Sequence, residues 1–231
     1  MKLFRKIEPG NNPEVEVGRF LTEKAGFTHA PRVRGLALAR WNGEDAAFAL
    51  FQDAIEHQGN AFDLTHSNAV LTLESILARL EELGPAPRPT HPLDTGEPEM
   101  TLGREIMGST LVEAELLGTR TGELHLALAS DHSHPDFAPQ PLSTLQQKSL
   151  YQGIRSSVRS SMGLLRRRRG RLDEADQALA DRALAAETGI LAHLKQLTAG
   201  KIEVDRIRIH GDYHLGQVLN TGRDFVIIDF E

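Results

Sequence analysis

The alternation of apolar and polar positions changes character near residue 57. Before it, MKLFRKI (1–7) reads as a short strand, and Pro, Gly and Asn cluster in EPGNNPE as a turn. VEVGRFLTEKAGF follows with Val15, Phe20 and Leu21 on one side, which predicts a helix closed by Gly26. VRGLALARW and AAFALFQDAI read as strands, and Asn42-Gly43 between them is a hairpin signal. After residue 57, AVLTLESILARLEEL has helical periodicity through Val70, Leu73, Leu77 and Leu80. GPAPRPTHPLDTGEPEM holds five of the eleven prolines and is expected to be an irregular loop. Helices are predicted at about 102–129, 141–168 and 172–198, with DHSHPDFAP breaking the first from the second. IEVDRIRIHGD then alternates as a strand would, and VLN and FVIID form a hairpin across Asn220-Thr221-Gly222. The fold class expected is α+β, with a small β-rich unit at 1–56, a larger mainly helical unit at 57–231, and the joint at FQDAIEHQGN.

Composition narrows the function classes. Hydrophobic residues make up 40% and charged residues 25%, as in ordinary globular proteins. There is no run of about 18 apolar residues, so no membrane span is expected, and MKLFRKIEPG lacks the apolar stretch of a signal peptide. The net charge of −6 argues against a nucleic-acid-binding surface. A basic run, Arg166 to Arg169 with Arg171, reads first as a helix end complementing the dipole and second as a polyanion contact. With no Cys there is no disulfide framework and no thiolate metal site. These features fit a cytoplasmic enzyme.

The chemistry concentrates in HGDYHLGQVLNTGRDFVIIDFE, residues 210–231. Asp212 follows a His-Gly pair at a predicted strand end. Gln217 comes five residues later. Asp229 ends the run Val226, Ile227, Ile228 and is brought back toward the other two by the hairpin. A carboxylate beside apolar residues needs a partner. Hard oxygen donors of this kind suit Mg²⁺. The interval from Asp212 to Gln217 matches D-x-x-x-x-N of a kinase catalytic loop with Gln for Asn, and Asp229-Phe230-Glu231 stands where D-F-G would. A plain hairpin with turn-forming acids is the structural alternative. His210 and His214 lie four apart, like zinc-binding histidines on a helix, but Gly211 and Gly216 argue against a helix there. His210 reads better as a support that orients the loop by hydrogen bonds. His132 and His134 form no recognisable site.

A kinase also needs a cation for the nucleotide phosphates, held by an acid on a nearby helix. Lys2 is the candidate, with Glu16 as its partner. Glu14 is the alternative, two residues away and so on a different face. Backbone groups of Asp53, Ala54 and Ile55 are placed to meet adenine. Nothing but Met1 precedes Lys2, no glycine-rich phosphate loop is present, and the chain stops at Glu231. The expectation is a bilobal protein-kinase-like fold truncated at both ends.

IHGDYHLGQVL…FVIIDFE, KLFRKIEPGNNPEVEVGRFLTE and LLGTRTGELHLALAS together resemble the bacterial maltokinases, within the aminoglycoside-phosphotransferase-like kinases. The resemblance implies ATP- and Mg²⁺-dependent phosphorylation of maltose to maltose 1-phosphate, which feeds trehalose-to-glycogen metabolism. It implies Asp212 as catalytic base, Gln217 and Asp229 as Mg²⁺ ligands, Lys2 on the phosphates and Glu16 holding Lys2. It also implies association with, or fusion to, trehalose synthase. The motif alone leaves open an aminoglycoside, choline or homoserine acceptor, and a non-catalytic kinase-like module.

Overall fold

The computed structural model describes residues 1–41, 43–84 and 97–231. Most of the proline-rich stretch therefore lies outside the described residues, as does Asn42. Two compact units emerge: residues 1–138 with 207–231, and residues 139–206.

The first unit opens with an antiparallel sheet of β1 (Lys2–Leu3), β2 (Val33–Trp41) and β3 (Glu44–Gln52), ordered β1-β3-β2. The expected first strand is cut to two residues, with Lys2 opposite Leu50. The β2–β3 hairpin forms as predicted, and Gly43 has a φ of 87°, the left-handed conformation a tight hairpin turn asks for. Helix α1 (Pro13–Phe20) starts at Asn12, whose side chain accepts the Val15 N–H, and has Pro13 at its first position. It runs into a wider turn over Leu21–Ala25 and stops at Gly26, with φ 62°.

Helix α1 serves two apolar clusters. Val17, Phe20 and Leu21 pack with Phe27, Ala61, Leu124, Leu128, Phe137, Val218, Phe225, Ile227 and Phe230. Val15 instead joins Ala47 and Leu50 of β3. The sheet and the C-terminal hairpin are thus both built onto one helix.

Helix α2 (Ala61–Ala78) begins eight residues before the periodic stretch, because the Asn60 side chain caps it by accepting the Asp63 N–H. A short turn, α3, covers Leu80–Leu83. The apolar stripe read from the sequence is present, but Val70, Leu73, Leu77 and Leu80 are all exposed; α2 enters the core through Ala61 and Leu64 at its other end. The next predicted helix is two, α4 (Glu97–Met107) and α5 (Ser109–Leu128), broken at Gly108, whose φ is 44°. After residue 206 the chain does not form the expected strand up to His210. It makes a short turn at Leu215–Gln217 and the hairpin of β6 (Val218–Asn220) and β7 (Phe225–Ile227). Here β4 (Gln140–Pro141) and β5 (Asp205–Arg206) belong to the second unit and pair with each other.

In that unit α6 (Thr144–Arg168) starts at a capping box formed by Ser143 and Gln146. The last predicted helix divides into α7 (Glu174–Ala185) and α8 (Glu187–Lys195). Gln147 is buried and its amide nitrogen donates to the Leu197 and Gly200 carbonyls, which fastens the chain after α8 to α6. The basic run falls at the end of α6, where Arg166 pairs with Glu187 and Arg169 with Asp181. No described helix is long and apolar enough to cross a membrane.

Leu128 is fully buried where α5 meets the main cluster. Leu128→Ala is expected to reduce unfolding free energy by about 2–5 kcal/mol, the range for a cavity in a packed core. Urea unfolding measures it, and a loss below about 1 kcal/mol would contradict the packing described.

Candidate active site

The Lys2 ammonium lies between two carboxylates from distant parts of the chain. It donates to Glu14 Oε1 at 2.9 Å and to Asp229 Oδ1 at 2.7 Å. Strand β1 carries Lys2, α1 carries Glu14, and the residue after Ile228 carries Asp229. The expected partner, Glu16, does not meet Lys2. Glu16 instead accepts from the Arg208 guanidinium at 3.0 Å. The reason is helical geometry: two positions on α1 are about 200° apart around its axis, so only one of them faces Lys2.

Burial acts against the charge on Lys2, but the hydrogen bonds to Asp229 and Glu14 outweigh it and raise its pKa. Glu14 is the more buried member of that pair, and burial raises its carboxyl above the usual range against the opposing pull of Lys2. Lys2 therefore keeps its proton throughout the physiological range. A cavity of about 610 Å³ opens here, lined by Lys2, Phe4, Asn12, Glu14, Asp229 and Phe230 among others. A second hollow, of about 510 Å³, is lined by Glu16, Arg19, Phe20 and Phe137 and contains none of Lys2, Asp212 or Asp229.

Asp229 has a φ of 61°, in the left-handed region. Asp tolerates this better than most residues, yet it remains a strained setting that packing must hold. The hold is visible. Ile228 N–H donates to the Gln217 carbonyl at 2.9 Å, and Glu231 N–H donates to the His210 carbonyl at 2.8 Å, so the backbone is fixed on both sides.

His210 is buried, and its Nε2 donates to the Ile228 carbonyl at 2.8 Å. Its ring packs on Tyr213 and Phe230. Its Nδ1 is buried without a hydrogen-bond partner among the described residues. Burial lowers its pKa from 6.5, against the pull of the Ile228 carbonyl and the nearby acids, which keeps the ring neutral. Gly211 has a φ of 100°, and a Cβ there would run into the Glu231 carbonyl oxygen. This is a position where only glycine fits. Asp212 follows, exposed, with Oδ2 3.6 Å from His214 Nε2.

His210 and His214 are thus engaged separately, one with a carbonyl and the other with Asp212 and the Gly216 N–H. Among the described residues no group of three or more His, Cys, Asp or Glu is arranged to hold a metal. Gln217 is an amide and so lies outside such a count, and its side chain has no partner among the described residues, whereas the Asp229 carboxylate accepts from Lys2. As donors they fit a hard cation.

In the segment expected from the sequence to meet adenine, the Asp53 N–H donates to the Arg32 carbonyl and its carboxylate binds Arg34. Ala54 and Ile55 make no backbone hydrogen bond among the described residues. Just beyond, Gln58 N–H donates to the Asn220 carbonyl and Asn220 N–H to Gly59, which ties this segment to the β6–β7 hairpin.

Residues 12–231 match the family described as "APH: Phosphotransferase enzyme family". The chain belongs to this family. Among solved structures it is similar to "Glucosamine kinase (crystal form B)", with a TM-score of 0.66 and 19% identity over 99% of this chain. The chain spans 45% of that protein's length. The mixed α+β architecture is therefore kinase-like in fold.

Within the phosphotransferase family fold, two contributors were not legible as such in the sequence. Arg208 appears there only as one polar position of an alternating run. Tyr213, whose hydroxyl meets Thr121 Oγ1 at 2.7 Å, gave no signal beyond its place after Asp212.

The neutral, buried His210 sets a pH dependence. Its folded pKa lies below that of the unfolded chain, so below about pH 6.5 the unfolded state binds the extra proton first. The stability contribution is complete above pH 6.5 and declines as pH falls from there toward the lowered folded value. His210→Gln keeps a donor for the Ile228 carbonyl but cannot titrate. Its unfolding free energy is expected to fall less than wild type between pH 7.5 and 5.5; equal slopes in chemical denaturation would contradict the burial argument.

Proposed function

We propose that this chain carries the catalytic motif of an ATP-dependent small-molecule kinase that phosphorylates a sugar, with maltose as acceptor and maltose 1-phosphate as product. The observation that carries the reading is the meeting of Lys2, Glu14 and Asp229 beside the loop that presents Asp212. A charged ammonium and two acids in one place have little use in a plain hairpin. They match the parts of a phosphoryl-transfer site. The maltose assignment rests on the resemblance of HGDYHLGQ, DFE and the KLFR…EPG segment to maltokinases.

In this reading residues 1–56 are the nucleotide-facing lobe and 57–231 the catalytic lobe. Asp212 accepts the proton of the attacking hydroxyl, and its exposure leaves it open to a substrate. His210 acts on Asp212 indirectly, by pinning the loop through the Ile228 carbonyl. Lys2 would neutralise phosphate charge, and its contact with Glu14 would keep it oriented were Asp229 to hold the metal. Asp229 and Gln217 would hold Mg²⁺, which supplies charge neutralisation on the phosphates. Ala54 and Ile55 offer backbone groups to adenine. An amino-sugar acceptor is the second reading, favoured by the glucosamine kinase likeness. An association with trehalose synthase belongs to the maltose reading and would follow it.

Thermal unfolding with and without Mg²⁺-ATP tests the nucleotide half. Ligand at about 100 times its Kd should add about 2.7 kcal/mol of stability, and the absence of any upward shift counts against a nucleotide site. ADP release with maltose, glucosamine and an aminoglycoside in parallel then tests the acceptor; turnover with another member of the panel and none with maltose overturns the maltose assignment. Asp212→Asn should reduce turnover by about 10²–10⁴-fold while Mg²⁺-ATP affinity stays within about twofold. Asp229→Asn should weaken Mg²⁺-ATP binding itself.

A further inference from the structure

Helix α1 is anchored to the site at two points, and the second has no part in the roles above. Glu14 leaves one side of the helix toward Lys2 and Asp229. Glu16 leaves the other side, where its Oε2 accepts from Arg208 Nη2 at 3.0 Å. Arg208 precedes His210 by two residues and Asp212 by four.

The Arg208 guanidinium also lies over the Phe137 ring, 5.9 Å from its centre, within range of a cation–π contact. Phe137 is in turn stacked on Phe20 of α1, with ring centres 3.7 Å apart and planes within 5°. Glu16 receives a further hydrogen bond from Asn11, in the turn that leads into the helix. Arg208 is therefore held by the first turn of α1 through charge and by its last residue through the stacked rings. The side chains of Arg208 and Glu16 are 26% and 16% exposed. By contrast, the surface pair of Arg19 on α1 and Glu23 in the wider turn that follows it is about half exposed. Exposed pairs contribute little, whereas removing one partner of a mostly buried pair leaves an uncompensated charge.

We propose that Arg208 is a positioning residue: through Glu16 and Phe137 it sets the placement of the 210–217 loop relative to α1, and so the placement of Asp212 relative to the ammonium that α1 holds. The inference rests on the kinase reading for its consequence, not for its geometry. Arg208 touches no reacting atom. It fixes a distance between two parts of the site that come from opposite ends of the chain. Misplacement of a catalytic group by about 1 Å can cost about a hundredfold in rate.

The test compares wild type, Arg208→Met, Arg208→Lys and the reversed pair Glu16→Arg/Arg208→Glu in the full chain. Amide hydrogen exchange is followed over residues 13–20 and 209–217, alongside Mg²⁺-ATP affinity by calorimetry. Arg208→Met keeps bulk on the Phe137 ring without the charge. It is expected to raise exchange in both segments together, while the β2–β3 hairpin and α5 stay protected, and, because the same loop carries Gln217, the proposed Mg²⁺ ligand, to weaken Mg²⁺-ATP binding about tenfold. The reversed pair should recover part of both. A general loss of packing would instead raise exchange everywhere. If Arg208→Met does not fold, Arg208→Lys replaces it: the charge stays, the flat contact with the ring goes, and a smaller change in the same two segments is expected. Exchange in 209–217 and nucleotide affinity both within twofold of wild type would overturn the proposal. If wild type binds no Mg²⁺-ATP but the two segments still loosen together, the kinase reading fails and the coupling stands.

Discussion

A partly buried ammonium must find carboxylates, and the Lys2 ammonium finds one 12 residues along the chain and another 227 residues along it. Much of the first unit can be read as the means of satisfying that contact. Strand β1 reaches it by pairing with β3, α1 by packing Val15 on the sheet, and the C-terminal hairpin by burying Phe225, Ile227 and Phe230 against the other face of α1. The contact itself adds little net stability, because desolvation offsets most of the attraction. Its effect is specificity, since a shift of any of the three elements would strand a charge.

Helix α1 is the common support. Eight residues carry an apolar face for the core, an apolar residue for the sheet, and two acids pointing in opposed directions. The backbone around the site is held with similar economy. Asp229 sits in a left-handed conformation and Gly211 in one that forbids a side chain, and both are stabilised by the same few hydrogen bonds between residues 210–217 and 228–231. Strain gathered at the end of an otherwise regular hairpin is expected where a side chain must be aimed rather than merely packed.

The likeness to glucosamine kinase at 19% identity indicates that the fold is carried by pattern more than by residue identity. What distinguishes one member of such a family from another lies in the acceptor side of the site, and the chain matches less than half of that protein's length. What the described residues show on the near side of the site is the meeting of Lys2 with Glu14 and Asp229.

Periodicity and turn chemistry determined much of this protein without any structure. The β2–β3 hairpin, α1 with its cap at Gly26, and the helical character of the larger part are local matters, decided by which residues can adopt which backbone angles. The order of His210, Gly211, Asp212, Gln217 and Asp229 was likewise readable, and the hairpin returns the backbone of Ile228 to Gln217 and that of Glu231 to His210. Other features were not local. Val70, Leu73, Leu77 and Leu80 form a helical stripe, but a stripe does not say whether anything covers it, and here it is exposed. The alternation in residues 202–209 does not become a strand beyond Asp205–Arg206, since a strand exists only where a partner accepts its hydrogen bonds. The choice of Glu14 over Glu16 was decided only by tertiary packing: both lie on α1, and the rotation of the helix against the sheet and hairpin gave one to Lys2 and left the other to Arg208.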